Sequence, residues 1–193
     1  MSNLFAKWIS CKNDKIQLQT GAVAPDFALY NEKNELWRLS DYCGQVVALL
    51  FYPGDETLVC TRQMCAVRDY WTNYLATKAV IVGVSPGTSE AHQRFARKHH
   101  LPLPLLADAN RSVTRIYASH TWMPIWWTRA VVIIDANGIV RSRTILLRAF
   151  REPDHKVIAA IYRARADFSL EKYDEMAQKL RAKIGENKKA AEF

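Results

Sequence analysis

The chain has 193 residues, of which 49% are hydrophobic and 24% are charged, and its formal net charge is +8 at pH 7. This length suits one domain, or one domain with a modest appendage, and supplies enough apolar residues for a sizeable core. No stretch is apolar enough for a membrane span, and the first residues lack the basic and apolar regions of a signal peptide. We therefore expect a soluble cytoplasmic protein whose four cysteines do not form a disulfide scaffold.

The positive charge does not predict a specific nucleic-acid partner. The basic residues are scattered along the chain, without zinc-finger spacing and without an aromatic-basic RNA-binding signature. Because charge alone supports only non-specific contact, we expect no specific binding of nucleic acid.

The N-terminal third of the chain predicts strands followed by a helix. Residues 1–14 are polar and form an irregular leader, and residues 26–30 and 35–39 alternate in the manner of a β-hairpin. Residues 46–52 are continuously apolar, which is typical of a strand buried on both faces. Residues 60–76 then have the spacing of a single amphipathic helix.

The middle of the chain continues this alternation. Residues 79–85 predict a second buried strand, and Ser89 is a candidate cap for a helix over residues 90–99. Residues 101–106 hold two prolines and predict an extended connection, and residues 110–117 predict a short helix.

The C-terminal part predicts a closing hairpin and two further helices. Residues 130–134 and 139–147 read as strands around the turn at residues 135–138, and residues 155–166 and 170–184 have helical patterns. Strands that alternate with helices indicate an α/β domain with helices over a central mixed sheet.

We divide the chain into three parts. They are the irregular leader, residues 1–14, the α/β domain, residues 15–149, and a C-terminal helical extension, residues 150–193.

A pair of cysteines stands where the first buried strand passes into a helix. Pro53, Thr57 and Cys60 have the spacing P-x-x-x-T-x-x-C, and Cys65 follows five residues later. A helix N-terminus presents unpaired N–H groups and the positive end of the helix dipole, both of which favour a thiolate. Because the thiolate is the reactive form, we prefer redox chemistry to the alternative of an inert buried cysteine.

The order and spacing of several blocks carry a family resemblance. These blocks are residues 24–29, 39–42, 53–65, 65–69, 83–85, 103–108 and 129–135. In them the chain resembles thiol peroxidases of the peroxiredoxin superfamily (AhpC/TSA type), most closely the branch called peroxiredoxin Q or bacterioferritin comigratory protein. The resemblance implies a thioredoxin-like fold with a central mixed sheet flanked by helices, an N-terminal β-hairpin and a C-terminal helical extension.

The resemblance assigns roles to four residues. It implies that Cys60 is the peroxidatic cysteine, which a hydroperoxide oxidises to a sulfenic acid. Thr57 matches the threonine that hydrogen-bonds the thiolate and the peroxide, and Pro53 matches the proline that shields the pocket. Arg129 matches the strand-borne arginine beside the sulfur, where a guanidinium stabilises negative charge. Without the other blocks, Arg129 could equally be a surface arginine.

The resemblance also implies that Cys65 is the resolving cysteine, which forms an intramolecular disulfide with Cys60. Five residues along an ideal helix separate two Cα atoms by about 8–9 Å. A disulfide requires less than about 7 Å. We therefore expect the first turns of the helix to unwind before the bond forms.

The chain departs from this branch at two places. Leu58 and Val59 precede Cys60, where the branch usually has Pro-Gly, and a β-branched residue there stiffens the loop. The helical extension is also longer than in the branch, and it could dock on the core, pack on a second subunit or cover the pocket.

Other residues receive no catalytic role. We interpret Cys11 and Cys43 as unreactive thiols, and His99 with His100 as a polar helix end. The histidines show no metal-ligand spacing with the cysteines. The tryptophan-rich segment at residues 122–127 is expected to pack in the core, with a pocket wall or a subunit interface as alternatives.

The predicted function is reduction of hydrogen peroxide or organic hydroperoxides, with a thioredoxin-like dithiol protein as reductant. We expect no metal or other cofactor, and a monomer or homodimer. Two alternatives remain: a thiol–disulfide oxidoreductase or redox sensor without peroxidase turnover, and a non-enzymatic interaction protein. The absence of C-x-x-C weighs against the first, and the set of Pro53, Thr57, Cys60 and Arg129 weighs against the second.

Overall fold

Seven strands and five α-helices form the part of the chain that is described. A computed structural model of the protein describes residues 18–119, 124–125 and 128–165. The strands are β1 (Ala28–Tyr30), β2 (Leu36–Arg38), β3 (Val47–Phe51), β4 (Val80–Ser85), β5 (Leu105–Ala107), β6 (Thr128–Ile134) and β7 (Val140–Leu147). The helices are α1 (Leu58–Asp69), α2 (Trp71–Ala76), α3 (Ser89–His99), α4 (Ser112–Ala118) and α5 (Asp154–Ala164), with a 3₁₀ turn at Leu39–Tyr42.

The central sheet has the strand order β5-β4-β3-β6-β7. Strands β3, β4 and β5 are parallel, whereas β6 and β7 run antiparallel to their neighbours. Strands β1 and β2 form the separate antiparallel hairpin that the sequence predicts. The prediction of a mixed α/β fold is therefore confirmed.

Both faces of the sheet are covered, which explains the continuous apolar run in β3. Side chains alternate across a strand, so Ala48 and Leu50 of β3 face one layer, and Leu49 and Phe51 face the other. The first layer contains α1, α3 and α5, and the second contains α4 and the β1–β2 hairpin. A strand buried on both faces needs apolar residues at every position.

Three local predictions are wrong. The helix predicted over residues 60–76 is two helices, because the chain departs from helical geometry at Tyr70 (φ −96°, ψ 14°). The last two residues of the connection predicted over residues 101–106 belong to the edge strand β5, which pairs with β4. The cap of α3 is Thr88 rather than Ser89, since the Thr88 side chain accepts a hydrogen bond from the Ala91 N–H at 3.2 Å.

The first predicted C-terminal helix is present as α5. Its residues Val157, Ile158 and Ile161 are buried in the same layer as α1. The leader at residues 1–14 and the helix predicted over residues 170–184 lie outside the described residues, so the domain boundaries stay a prediction. In the described ranges, no helix combines the length and apolar character needed to cross a membrane.

Candidate active site

Cys60 lies in the first turn of α1, directly after the loop that leaves β3. Thr57 is the N-cap of this helix, and its hydroxyl oxygen accepts a hydrogen bond from the Cys60 N–H at 3.4 Å. The Cys60 side chain is 1% exposed. The helix therefore presents the positive end of its dipole at a buried thiol, as the sequence predicts.

Arg129 lies on β6 of the central sheet and brings a guanidinium to this thiol. Arg129, Val131 and Ile133 alternate along β6 with residues of the opposite face, so Arg129 faces the layer that holds Cys60. Its Nη2 donates to the Cys60 sulfur at 3.3 Å and to the main-chain oxygen of Arg148 at 3.2 Å. Arg129 is fully buried, so its charge acts on the sulfur with little screening by solvent.

Two donors of Arg129 are unused. Among the residues that the structure describes, Nε and Nη1 of Arg129 are buried without a hydrogen-bond partner. A buried donor that is left unsatisfied costs about 1–3 kcal/mol. A ligand that accepts hydrogen bonds from Nε and Nη1 would satisfy both donors, and unsatisfied buried groups of this kind often mark a functional site.

A buried network holds the loop that precedes α1. The Tyr52 hydroxyl donates to Oδ1 of Asp55 at 2.9 Å, and Nδ1 of His92 lies 2.7 Å from Oδ2 of the same carboxylate. On its other side, Nε2 of His92 lies 3.5 Å from the Ser85 hydroxyl. Burial and the nearby Asp55 carboxylate raise the pKa of Tyr52 well above its usual value, so this hydroxyl stays protonated.

The sequence does not predict this network. Asp55 and His92 are 37 residues apart in the chain, and no local pattern links a loop carboxylate to a histidine inside a helix. Gly87 is a partial indication of it. A Cβ at this position would lie 2.9 Å from Nδ1 of His92, so a larger residue would crowd the histidine ring.

Cys65 lies two turns into α1 and points away from Cys60. Five residues rotate the side chain by about 140° around the helix. Cys65 is half-buried, and its sulfur lies 3.9 Å from Nδ1 of His99 on α3. His99 and His100 do end α3, as predicted, but the side chain of His99 is only 18% exposed. His100 is exposed and ends α3 in the left-handed conformation (φ 52°).

The remaining candidate residues are separate from these contacts. Pro53 is half-buried at the start of the loop between β3 and α1. Cys43 is an exposed free thiol after the 3₁₀ turn. Cys11 and all the tryptophans of the segment at residues 122–127 lie outside the described residues.

The sequence and the fold both match known peroxiredoxins. Residues 20–143 match the AhpC/TSA family. Peroxiredoxin Bcp of Bacillus subtilis (strain 168) is 39% identical over 129 residues, which are 67% of this chain and 78% of that protein. The chloroplastic peroxiredoxin Q of Sedum lineare is 35% identical over 124 residues, which are 63% of this chain and 66% of that protein.

Among solved structures, the peroxidoxin BcpB of Mycobacterium tuberculosis is similar with a TM-score of 0.66 and 26% identity, over 78% of this chain and 100% of that chain. Peroxiredoxin Q of Xanthomonas campestris has a TM-score of 0.61 at 19% identity, over 73% of this chain and 90% of that chain, which supports the fold alone. The predictions of a thioredoxin-like fold and of a peroxiredoxin are confirmed.

Proposed function

Because the chain belongs to the AhpC/TSA family, we propose that it reduces hydrogen peroxide and organic hydroperoxides through a sulfenic acid on Cys60. The observation that carries this proposal is the buried pair of Cys60 and Arg129, in which the guanidinium contacts the sulfur and two of its donors have no partner within the described ranges. A substrate with two adjacent oxygen atoms could accept hydrogen bonds from those donors while one oxygen faces the sulfur.

In the first step, the Cys60 thiolate attacks the terminal peroxide oxygen. A sulfur–oxygen bond forms, the oxygen–oxygen bond breaks, and the leaving oxygen takes a proton to become water or an alcohol. Negative charge moves from the sulfur to the leaving oxygen during this step. Arg129 lies where it can stabilise that charge at both ends, because one of its nitrogens touches the sulfur and two others have no partner among the described residues.

Thr57 and Pro53 act on the same step. The Thr57 hydroxyl accepts from the Cys60 N–H, so its own proton is free to point toward the thiolate or the peroxide. Pro53 stiffens the loop, since its ring fixes one backbone dihedral angle. We propose that it also shields the sulfur from water.

In the second step, the Cys65 thiolate attacks the sulfenic sulfur of Cys60 and releases water. Both cysteines lie in the continuous helix α1 and are free thiols, so α1 has to unwind near its N-terminus for the disulfide to form. A thioredoxin-like dithiol protein would then reduce this disulfide and allow α1 to refold.

The setting of the reaction is also part of the proposal. The chain has only four cysteines, which is too few for a disulfide scaffold in a protein of this size and supports a reducing compartment such as the cytoplasm. We propose a cofactor-free enzyme that acts as a monomer or a homodimer, which analytical ultracentrifugation can distinguish.

Steady-state consumption of peroxide with a dithiol reductant tests the proposal. We expect no turnover for Cys60→Ser. For Cys65→Ser we expect a single oxidation and then no further consumption, unless a small thiol is added. Cys43→Ser serves as the control and keeps full turnover. Full turnover by Cys60→Ser would overturn the mechanism.

The alternative of a thiol–disulfide oxidoreductase gives a different result in the same assay. Such a protein would exchange disulfides with the reductant while the wild type consumed no peroxide.

A further inference from the structure

We propose that His99 is the general base that deprotonates Cys65 and so activates it for disulfide formation. This inference rests on the proposed peroxidase cycle and concerns its second step. Resolution needs a thiolate, because the thiolate and not the thiol attacks sulfur. Cys65 is in the third turn of α1 and so lacks the first-turn position that favours a thiolate at Cys60.

The geometry supplies a base at the correct atom. Nδ1 of His99 lies 3.9 Å from the Cys65 sulfur, within the range of a sulfur hydrogen bond. The proposal requires that the neutral ring carry its proton on Nε2, so that Nδ1 can accept the thiol proton.

The ring is held in this position from several sides. The ring of Phe95 packs edge-on against it with centroids 4.9 Å apart. The main-chain oxygen of His99 accepts from Nη1 of Arg68 at 2.8 Å, which ties the end of α3 to α1. A catalytic base needs such an arrangement, since its orientation determines whether the proton can be transferred.

A carboxylate faces the opposite edge of the ring. Nε2 of His99 lies 4.0 Å from Oε2 of Glu56, and that carboxylate oxygen is paired with Nζ of Lys98 at 2.7 Å. In the described part of the chain Nε2 has no hydrogen-bond partner. Cys65 and His99 therefore stand as a nucleophile and a base within hydrogen-bond range, and the Glu56 carboxylate lies near the opposite edge of the ring. The charged groups around the ring are Glu56, Lys98 and Arg68, with Cys65 on its Nδ1 side.

The chemical step balances without a further reactant. The Cys65 thiol gives its proton to Nδ1 while α1 is intact. After α1 unwinds, the thiolate attacks the sulfenic sulfur of Cys60, the sulfur–sulfur bond forms and the sulfur–oxygen bond breaks. The departing hydroxide takes a proton from solvent, and the imidazolium returns its own proton to solvent. The Cys65 sulfur is oxidised and the sulfenic sulfur is reduced.

Single-turnover kinetics with one equivalent of hydrogen peroxide test the proposal. The rate of sulfenic acid formation is measured by trapping with dimedone, and the rate of disulfide formation is measured by mass spectrometry. In His99→Asn we expect sulfenic acid formation to stay within about twofold of the wild-type rate. Disulfide formation should be slower by about 10²-fold at neutral pH. The deficit should shrink at alkaline pH, where hydroxide takes the thiol proton in place of the histidine.

His100→Asn is the matched control, because His100 is the exposed neighbour in a left-handed conformation that asparagine tolerates. It should resolve at the wild-type rate. Glu56→Gln removes the negative charge that lies 4.0 Å from Nε2 of His99, and it should slow resolution by several-fold with the first step unchanged. If His99→Asn does not fold, the same comparison with His99→Gln decides the question.

Disulfide formation at the wild-type rate in a folded His99 variant would overturn the proposal, as would a deficit that is equal at every pH. A wild type that forms no sulfenic acid would instead contradict the proposed peroxidase function, so the two failures are distinguishable.

Discussion

Nη2 of Arg129 lies 3.3 Å from the sulfur of Cys60, although 69 residues separate the two in the chain. The contact joins the first turn of α1 to the start of β6, and both side chains are buried. It places the only charge of β6 against the sulfur.

The geometry of the guanidinium, and not its charge alone, should determine the rate of oxidation. We expect Arg129→Lys to lower the rate constant for peroxide by about 10²- to 10³-fold, since a lysine cannot supply several fixed donors at once. Stopped-flow oxidation of the reduced protein measures this. Arg148→Lys is the control, because Arg148 contributes only its main-chain oxygen to the contact. An Arg129→Lys enzyme as fast as the control would contradict the assigned role.

Disulfide formation should unwind α1. Oxidation by one equivalent of peroxide is expected to reduce the far-UV circular dichroism signal by about one to two helical turns, because the Cα atoms of Cys60 and Cys65 start about 8–9 Å apart. Cys65→Ser, which stops at the sulfenic acid, should keep the full helical signal. Hydrogen exchange would locate the change in α1. Equal loss of signal in both proteins would place the unwinding before resolution.

The Asp55–His92 contact should stabilise the active-site loop. We expect His92→Phe to lower the free energy of unfolding by about 1–3 kcal/mol, since Asp55 would lose a buried partner. A double-mutant cycle with Asp55→Asn, measured by urea unfolding, should give a coupling energy above about 0.5 kcal/mol. Arg94→Gln, an exposed change on the same helix, should alter stability by less than about 0.5 kcal/mol. Additive effects of His92→Phe and Asp55→Asn would show that the two side chains do not stabilise the loop together.

Alkaline pH should destabilise the protein through its buried tyrosines. Burial, and then the carboxylate of Asp154, raise the pKa of Tyr74 well above its usual value. The unfolded chain loses this proton near pH 10, while the folded chain keeps it. The unfolded state therefore binds fewer protons, and the free energy of unfolding falls as the pH rises above about 10.

Tyr74→Phe should therefore show a smaller loss of stability between about pH 9 and 11 than the wild type. At neutral pH it should be less stable by about 1 kcal/mol, because the hydrogen bond to Asp154 at 3.0 Å is lost. Tyr30→Phe, which removes the same hydroxyl from a residue that is 53% exposed, is the matched control. Identical pH profiles for Tyr74→Phe and the wild type would contradict this assignment.

The sequence predicts the path of the chain through the site because that path depends on local patterns. The apolar run before Pro53 identifies β3, since both faces of this strand are covered. The residue alternation of β6 then directs Arg129 to the layer of Cys60. These features follow from the period of a strand and from burial.

The features that the sequence does not predict are contacts between distant segments. Strand β5 is short, and two prolines precede it, so its sequence lacks a recognisable strand pattern. It is identified as an edge strand only by its pairing with β4. His92 and His99 resemble ordinary helix residues. Their partners Asp55 and Cys65 become visible only when α3 packs beside α1 and the loop before it.

The most direct test of the account is the site of the first oxidation. Cys65→Ser is mixed with one equivalent of hydrogen peroxide in the presence of dimedone, and the modified cysteine is identified by peptide mass spectrometry. The account predicts that the label lies on Cys60 and that Arg129→Lys in the same background slows its appearance. A label on Cys43 or Cys11 with Cys60 unmodified would contradict it.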